Sequence, residues 1–392
     1  MKISPYSKQS LNKADIKNVV RILKSDFITQ GPEILNFEKN FAKYVNSKYA
    51  VACNSGTAAL HIACQALGIN KKSNVITSTI TFVASANCAS FMGAKIFFSD
   101  IDSKSHCISV QDLESQLKTK KIDLVVVVHM AGHPADMKKI KKLKEKYNFK
   151  IIEDSCHALG GKYLNKKIGS CFYSDISTFS FHPVKPITTA EGGMITTNNK
   201  KIYKKLLLFR THGIHKISNN FVNKKLAYDK NNKPNQWYYE MTELGHNYRI
   251  TDIQAALGNS QLKRIDKFIN YRRKIAKIYN KNLKKNKFLK LPFEDKNIKH
   301  AYHLYTILID FKKLKKDRNE IISALRNKKI GSQVLYIPVH LQPFYKKKGI
   351  QKKRLFKNAL EYYNKCLSIP IFFGLTKKKA EYIARQINNI IS

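Results

Sequence analysis

Residues 124–128 read Leu-Val-Val-Val-Val. Five consecutive apolar residues with no alternating polar position mark a strand buried on both faces. Such a strand lies inside a sheet that helices cover on either side. The next stretch opens at Pro134 and Asp136 and sets Ile140, Leu143 and Tyr147 at i, i+3 and i+7, one face of a helix. Residues 49–53, 74–77, 95–99, 150–152 and 176–181 read as further strands, with helices over 56–68 and 82–92. Strands alternating with helices predict an α/β layer fold around a mostly parallel sheet.

The 392 residues suffice for two or three domains. The pattern predicts a large α/β domain over 1–265 and a smaller α+β domain over 266–392. One long amphipathic helix across 251–283 would link them. Strands at 303–309 and 333–337 and helices at 320–328 and 377–391 would build the second domain. The polar segment 218–236 reads as an exposed loop.

Lys+Arg is 72 against Asp+Glu 27, a formal charge of +45. A field of that size attracts nucleic acid, anionic membranes or anionic substrates. The lysines, however, are scattered in short runs along the chain, such as Lys71-Lys72 and Lys346-Lys347-Lys348, as solvated faces and loop tips are. No nucleic-acid-binding module is recognisable, and a coding bias toward AT-rich codons would produce the excess without any function. Seven cysteines without a C-x-x-C pair indicate neither a disulfide framework nor a zinc ribbon. No metal site is expected. The first twenty residues lack the apolar core of a signal peptide, so a cytoplasmic protein with no membrane partner is expected.

In open parallel sheets, ligands sit beyond the carboxyl ends of the strands. After the first strand comes Asn54-Ser55-Gly56-Thr57-Ala58-Ala59, a small-residue turn that opens a helix and can receive an anion. After the strand near Ile152 come Glu153 and Asp154, where a carboxylate can face a cationic ring nitrogen, bind a metal or cap a turn. After the strand near Phe181 comes His182-Pro183-Val184-Lys185-Pro186. A lysine between two prolines stands apart from the polar runs elsewhere, and in a partly dry site it can lose its proton and become a nucleophile. The turn Thr189-Ala190-Glu191-Gly192-Gly193 follows it. A phosphate cradle, an acid and a reactive lysine are what pyridoxal 5′-phosphate requires.

The ordered blocks NSGTAAL, TFVASAN, EDSCHALG, SFHPVK, EGGM and HNYRITDIQAALG span the chain. They resemble the DegT/DnrJ/StrS family of sugar aminotransferases, which are fold type I pyridoxal phosphate enzymes. The resemblance implies that Lys185 carries the cofactor and moves the proton, and that Asp154 keeps the ring nitrogen protonated. Gly56, Thr57 and Ser180 would hold the phosphate and Phe82 would stack on the ring. Asn247 would reach the phosphate of a partner subunit's cofactor, making a homodimer with shared sites. His157 would flank the ring or pack as an ordinary core histidine; Arg249 would bind a donor carboxylate or pair structurally.

Family members that dehydrate sugars carry histidine where this chain has Lys185, so aminotransfer is expected, with L-glutamate as the donor. The segments around Trp237, Tyr302 and 336–345 resemble a branch that aminates C4 of a UDP-linked 4-keto-6-deoxy-N-acetyl hexose. His303, Tyr305 and His340 are then candidates for sugar or nucleotide contacts, against packing in the small domain. Two residues depart from the branch. Ala190 stands where glycine is usual, which strains the turn if φ is positive, and Leu335 replaces a common histidine. A bacillosamine- or perosamine-type 4-keto-sugar aminotransferase is the alternative within enzymes. A non-catalytic protein of the same fold would have lost the lysine, the acid or the cradle, and none is lost.

Overall fold

The structure is a computed structural model that describes residues 3–216, 221–349, 351 and 354–392. Leu124–Val128 is a strand with every residue buried, at the interior of a seven-stranded sheet. In chain order the strands are β1 (Tyr49–Cys53), β2 (Asn74–Ser78), β3 (Lys95–Ser99), β4 (Leu124–Val128), β5 (Lys150–Asp154), β6 (Ile176–Ser180) and β7 (Gly193–Thr197). Their order across the sheet is β1-β7-β6-β5-β4-β2-β3. The pairs from β6 to β3 are parallel, whereas β7 runs antiparallel to both neighbours. The α/β fold expected from the sequence is therefore present.

β7 was not legible as a strand, because its Gly-Gly start reads as part of the preceding turn. Its place has a consequence for the site. Gly193 pairs with Cys53 on one side and with Ser180 on the other, so the ends of β1 and β6 lie side by side although β1 comes first in sequence. A Cβ at Gly193 would lie 2.3 Å from the Ser55 carbonyl oxygen. Only glycine fits this close approach.

A second sheet, β8 (Leu289–Lys290), β9 (Tyr305–Ile309) and β10 (Cys366–Ile369), is antiparallel in the order β8-β9-β10. Its apolar cluster takes in Ile275, Tyr279 and Leu283 from one helix and Ile383 and Ile387 from another. The expected single helix over 251–283 is two, Asp252–Leu262 and Ile265–Leu283. They break at Arg264 (φ −112°, ψ 3°), whose guanidinium is held by Asp15. Residues 333–337 are likewise no strand. Gln333 alone bridges Ser368, Pro338 has no N–H to give a ladder, and the segment runs over the sheet edge toward the site. Of the expected loop, residues 218–220 lie outside the described residues. The rest folds around Phe221, Ala227 and Tyr238 with a short helix at Lys224–Ala227.

Candidate active site

A cavity of about 440 Å³ opens where the ends of β1, β5 and β6 meet. On its β1 side, Ser55 caps the Gly56–Ala66 helix by accepting the Ala58 N–H at 3.1 Å. The first N–H groups of a helix have no partner within it, so Gly56 and Thr57 present donors and the positive end of the helix to the cavity. Ser180, the last residue of β6, closes this cradle. A Cβ on Gly56 would stand 2.7 Å from that of Ser180, so glycine lets the hydroxyl approach.

Asp154 ends β5 and is 6% exposed. One carboxylate oxygen accepts the Cys156 N–H at 3.2 Å, and the other accepts the Ser85 hydroxyl at 2.6 Å. His157 is buried, and its Nε2 lies 3.1 Å from the Tyr336 hydroxyl. Its Nδ1 is buried without a hydrogen-bond partner. Burial holds its pKa well below the ordinary histidine value, so the ring is neutral.

Lys185 is half-buried at the cavity wall. Its backbone N–H bonds to the His182 carbonyl at 2.9 Å, and Ser7 donates to the Val184 carbonyl at 2.8 Å. Desolvation lowers the pKa of its ammonium, while Cys156 and Asp154 act in the opposite direction. The turn that follows is tied by Thr188 Oγ1 to the Phe181 carbonyl at 2.8 Å and by the Ala190 N–H to Thr188 Oγ1 at 3.0 Å. Ala190 has φ 66°, the left-handed conformation in which a Cβ is strained. Phe82, 55% exposed, flanks the cavity with its ring 5.9 Å from that of Tyr336. Leu335 is an apolar part of the same wall.

The structure thus gathers Gly56, Thr57, Phe82, Asp154, His157, Ser180 and Lys185 around one cavity. The other candidates lie elsewhere. His303 packs behind His157, rings 4.3 Å apart, and does not line the cavity. Tyr305 is fully buried in the second core, donating to Asn280 Oδ1 at 2.5 Å. His340 bonds Thr79 Oγ1 and packs its ring 4.4 Å from that of Phe356. Arg249 is half-buried outside the cavity lining, and Asn247 is exposed where it pairs with Thr211. Sequence reasoning passed over Tyr6, Thr81, Ser85, His182, Glu191 and Tyr336. Thr81 and Ser85 lie in the TFVASAN block, but a small hydroxyl carries no sign of which acid it will meet.

The family model described as the DegT/DnrJ/EryC1/StrS aminotransferase family matches residues 9–388. A UDP-4-amino-4,6-dideoxy-N-acetyl-beta-L-altrosamine transaminase of Campylobacter jejuni is 38% identical over 388 residues, covering 98% of this chain and 97% of that one. A GDP-perosamine synthase of Escherichia coli O157:H7 is 35% identical over the whole of both chains. Among solved structures, Helicobacter pylori PseC, an aminotransferase involved in the biosynthesis of pseudoaminic acid, matches with a TM-score of 0.89 at 31% identity. That match covers 100% of this chain and 99% of PseC. The PLP form of a putative sugar aminotransferase from Streptococcus pneumoniae matches at 0.88 and 26%, over 99% and 98% of the two chains. The cavity fits that cofactor: it offers an anion cradle at a helix N-terminus, a buried carboxylate, an amine and one orphaned buried imidazole nitrogen.

Proposed function

This chain belongs to the DegT/DnrJ/EryC1/StrS aminotransferase family, and from that premise we propose its reaction. It moves an amino group from L-glutamate to the C4 keto group of a UDP-linked 4-keto-6-deoxy-N-acetyl hexose. The product is UDP-4-amino-4,6-dideoxy-N-acetyl-β-L-altrosamine, for pseudaminic acid biosynthesis. The chain is an aminotransferase that depends on pyridoxal 5′-phosphate. The observation that carries the substrate is the full-length likeness to the Campylobacter transaminase.

Pyridoxal 5′-phosphate, when bound, supplies a carbonyl that takes up the amino group and a ring that draws electrons from the neighbouring carbon. Lys185 would hold it through the Nζ amine and, once displaced by the donor, carry a proton between the substrate carbon and C4′ of the cofactor. Its lowered pKa favours the unprotonated amine that both tasks need. Asp154 would keep the ring nitrogen protonated by lying charged beside it. Gly56, Thr57 and Ser180 would hold the phosphate, and Phe82 would cover a ring face. Asn247, exposed and outside its own cavity, would serve the phosphate of a second copy, so that the enzyme works as a homodimer. The cytoplasm is its proposed location; among the described residues, no helix is long and apolar enough to cross a membrane.

Incubation with L-glutamate and UDP-4-keto-6-deoxy-N-acetyl hexoses of both C5 configurations, with a GDP-4-keto-6-deoxy sugar alongside, tests the reading. Amination of the β-L-arabino-configured UDP substrate is expected. Turnover of the GDP sugar alone would instead favour the perosamine-type reaction, to which the 35% relative points.

A further inference from the structure

Ser85 is fully buried near the start of the Ala84–Phe91 helix, yet its hydroxyl does not cap that helix: the N-cap position is Val83, with no side-chain cap bond. The hydroxyl donates to Asp154 at 2.6 Å. An ionised carboxylate can only accept, so the Ser85 proton points to Asp154 and the Ser85 oxygen is left to accept. Its partner is Thr81 Oγ1, 2.7 Å away and 2% exposed. Thr81 is therefore the donor, and the chain Thr81 → Ser85 → Asp154 is polarised in one direction toward the carboxylate. With the Cys156 N–H on the other oxygen, both oxygens of Asp154 are engaged and the plane of the carboxylate is fixed.

We propose that Ser85 is a positioning residue for the cofactor's acid, with Thr81 acting through it: the two hydroxyls hold Asp154 in one orientation and stabilise its charge. The proposal rests on the assignment of Asp154 to the ring nitrogen. Both donors come from the segment after β2, whereas Asp154 ends β5, so the acid is aligned by an element other than its own. Partners that orient a ligating group typically alter affinity or activity by about 10- to 100-fold when removed from metal sites, and a charge-assisted hydrogen bond in a dry site should act on a similar scale.

The test uses the full-length chain stripped of cofactor and titrated with pyridoxal 5′-phosphate, followed by steady-state kinetics of the loaded enzyme. Ser85→Ala should bind the cofactor about 10-fold more weakly and lower kcat by about 10- to 100-fold, with KM for the sugar nucleotide within about twofold of wild type. Ser85→Cys, close in size, should recover part of both losses. Thr81→Val, which keeps the side-chain shape, should show a smaller loss, and Thr81→Val/Ser85→Ala should be no worse than Ser85→Ala, because Thr81 acts only through Ser85. Wild-type cofactor affinity and kcat in Ser85→Ala would overturn the proposal, as would fully additive losses in the double variant. Should Ser85→Ala not fold, the Thr81→Val affinity decides: unchanged binding and kcat would overturn it. Asp154→Asn separates the two claims. If it binds and turns over like wild type, the assignment of Asp154 fails and the proposal with it; if it fails while Ser85→Ala does not, only the positioning role falls.

Discussion

Replacing Ala190 by glycine should make the protein more stable, against the usual effect of adding a glycine. Ala190 sits at φ 66° in the turn between Lys185 and β7. A Cβ in the left-handed region costs about 1–2 kcal/mol. Glycine removes that cost but gives the unfolded chain extra freedom worth about 0.4–1 kcal/mol. Nothing else is lost: the residue is exposed, and its hydrogen bond to Thr188 Oγ1 uses the backbone N–H. The difference is a net gain centred on about 0.8 kcal/mol, within a span of about 0 to 1.6 kcal/mol. Ala190→Val should move the other way by about 1 kcal/mol or more, since a β-branched residue is worse in that region. Urea unfolding of the cofactor-free protein, followed by circular dichroism, measures both. A lower midpoint for glycine, or an unchanged midpoint for valine, would refute the assignment of strain to this turn.

The buried amine gives a signature in pH. Lys185 has a lowered pKa when folded, so between that value and the ordinary 10.5 the unfolded chain binds more protons. The cofactor-free wild type should therefore gain stability with rising pH in that window relative to Lys185→Met; parallel curves would contradict the shift. His340→Ala and Tyr305→Phe should each cost about 1–3 kcal/mol of stability by leaving Thr79 or Asn280 with a lost partner, while KM for the sugar nucleotide stays within about twofold. A tenfold rise in KM would return them to the substrate site. Mixing Lys185→Ala with Asn247→Ala and refolding them together should restore activity that neither has alone, because one site of each mixed dimer is intact. No recovery would remove the shared-site dimer.

The parallel layers were legible because burial on two faces leaves a run such as Leu124–Val128 with no polar position. β7 was not, since its first residue is a glycine, Gly193, required by a close approach to Ser55 that only the fold creates. The helix break at Arg264 was hidden for a similar reason: apolar spacing continues across it, and the partner that holds Arg264 there is a distant acid, Asp15. In the site, Lys185 and Asp154 stood out through their neighbours in sequence. Ser85 and Tyr336 meet partners on other elements, Asp154 and His157, which spacing along the chain does not reveal. For His303, Tyr305 and His340 the sequence left substrate contact and packing open, since aromatic and imidazole side chains also pack well in cores. His303 and Tyr305 are buried, His340 is half-buried against Phe356, and none lines the cavity.

The central claim is that Lys185 carries the cofactor and begins amino transfer. Its most direct test is the visible absorbance of the purified protein with pyridoxal 5′-phosphate, before and after L-glutamate, with Lys185→Ala alongside. The account predicts a yellow band in the wild type that glutamate bleaches, and no such band formed by the variant on its own. A wild type without the band, or a variant that shows it equally, would contradict the account.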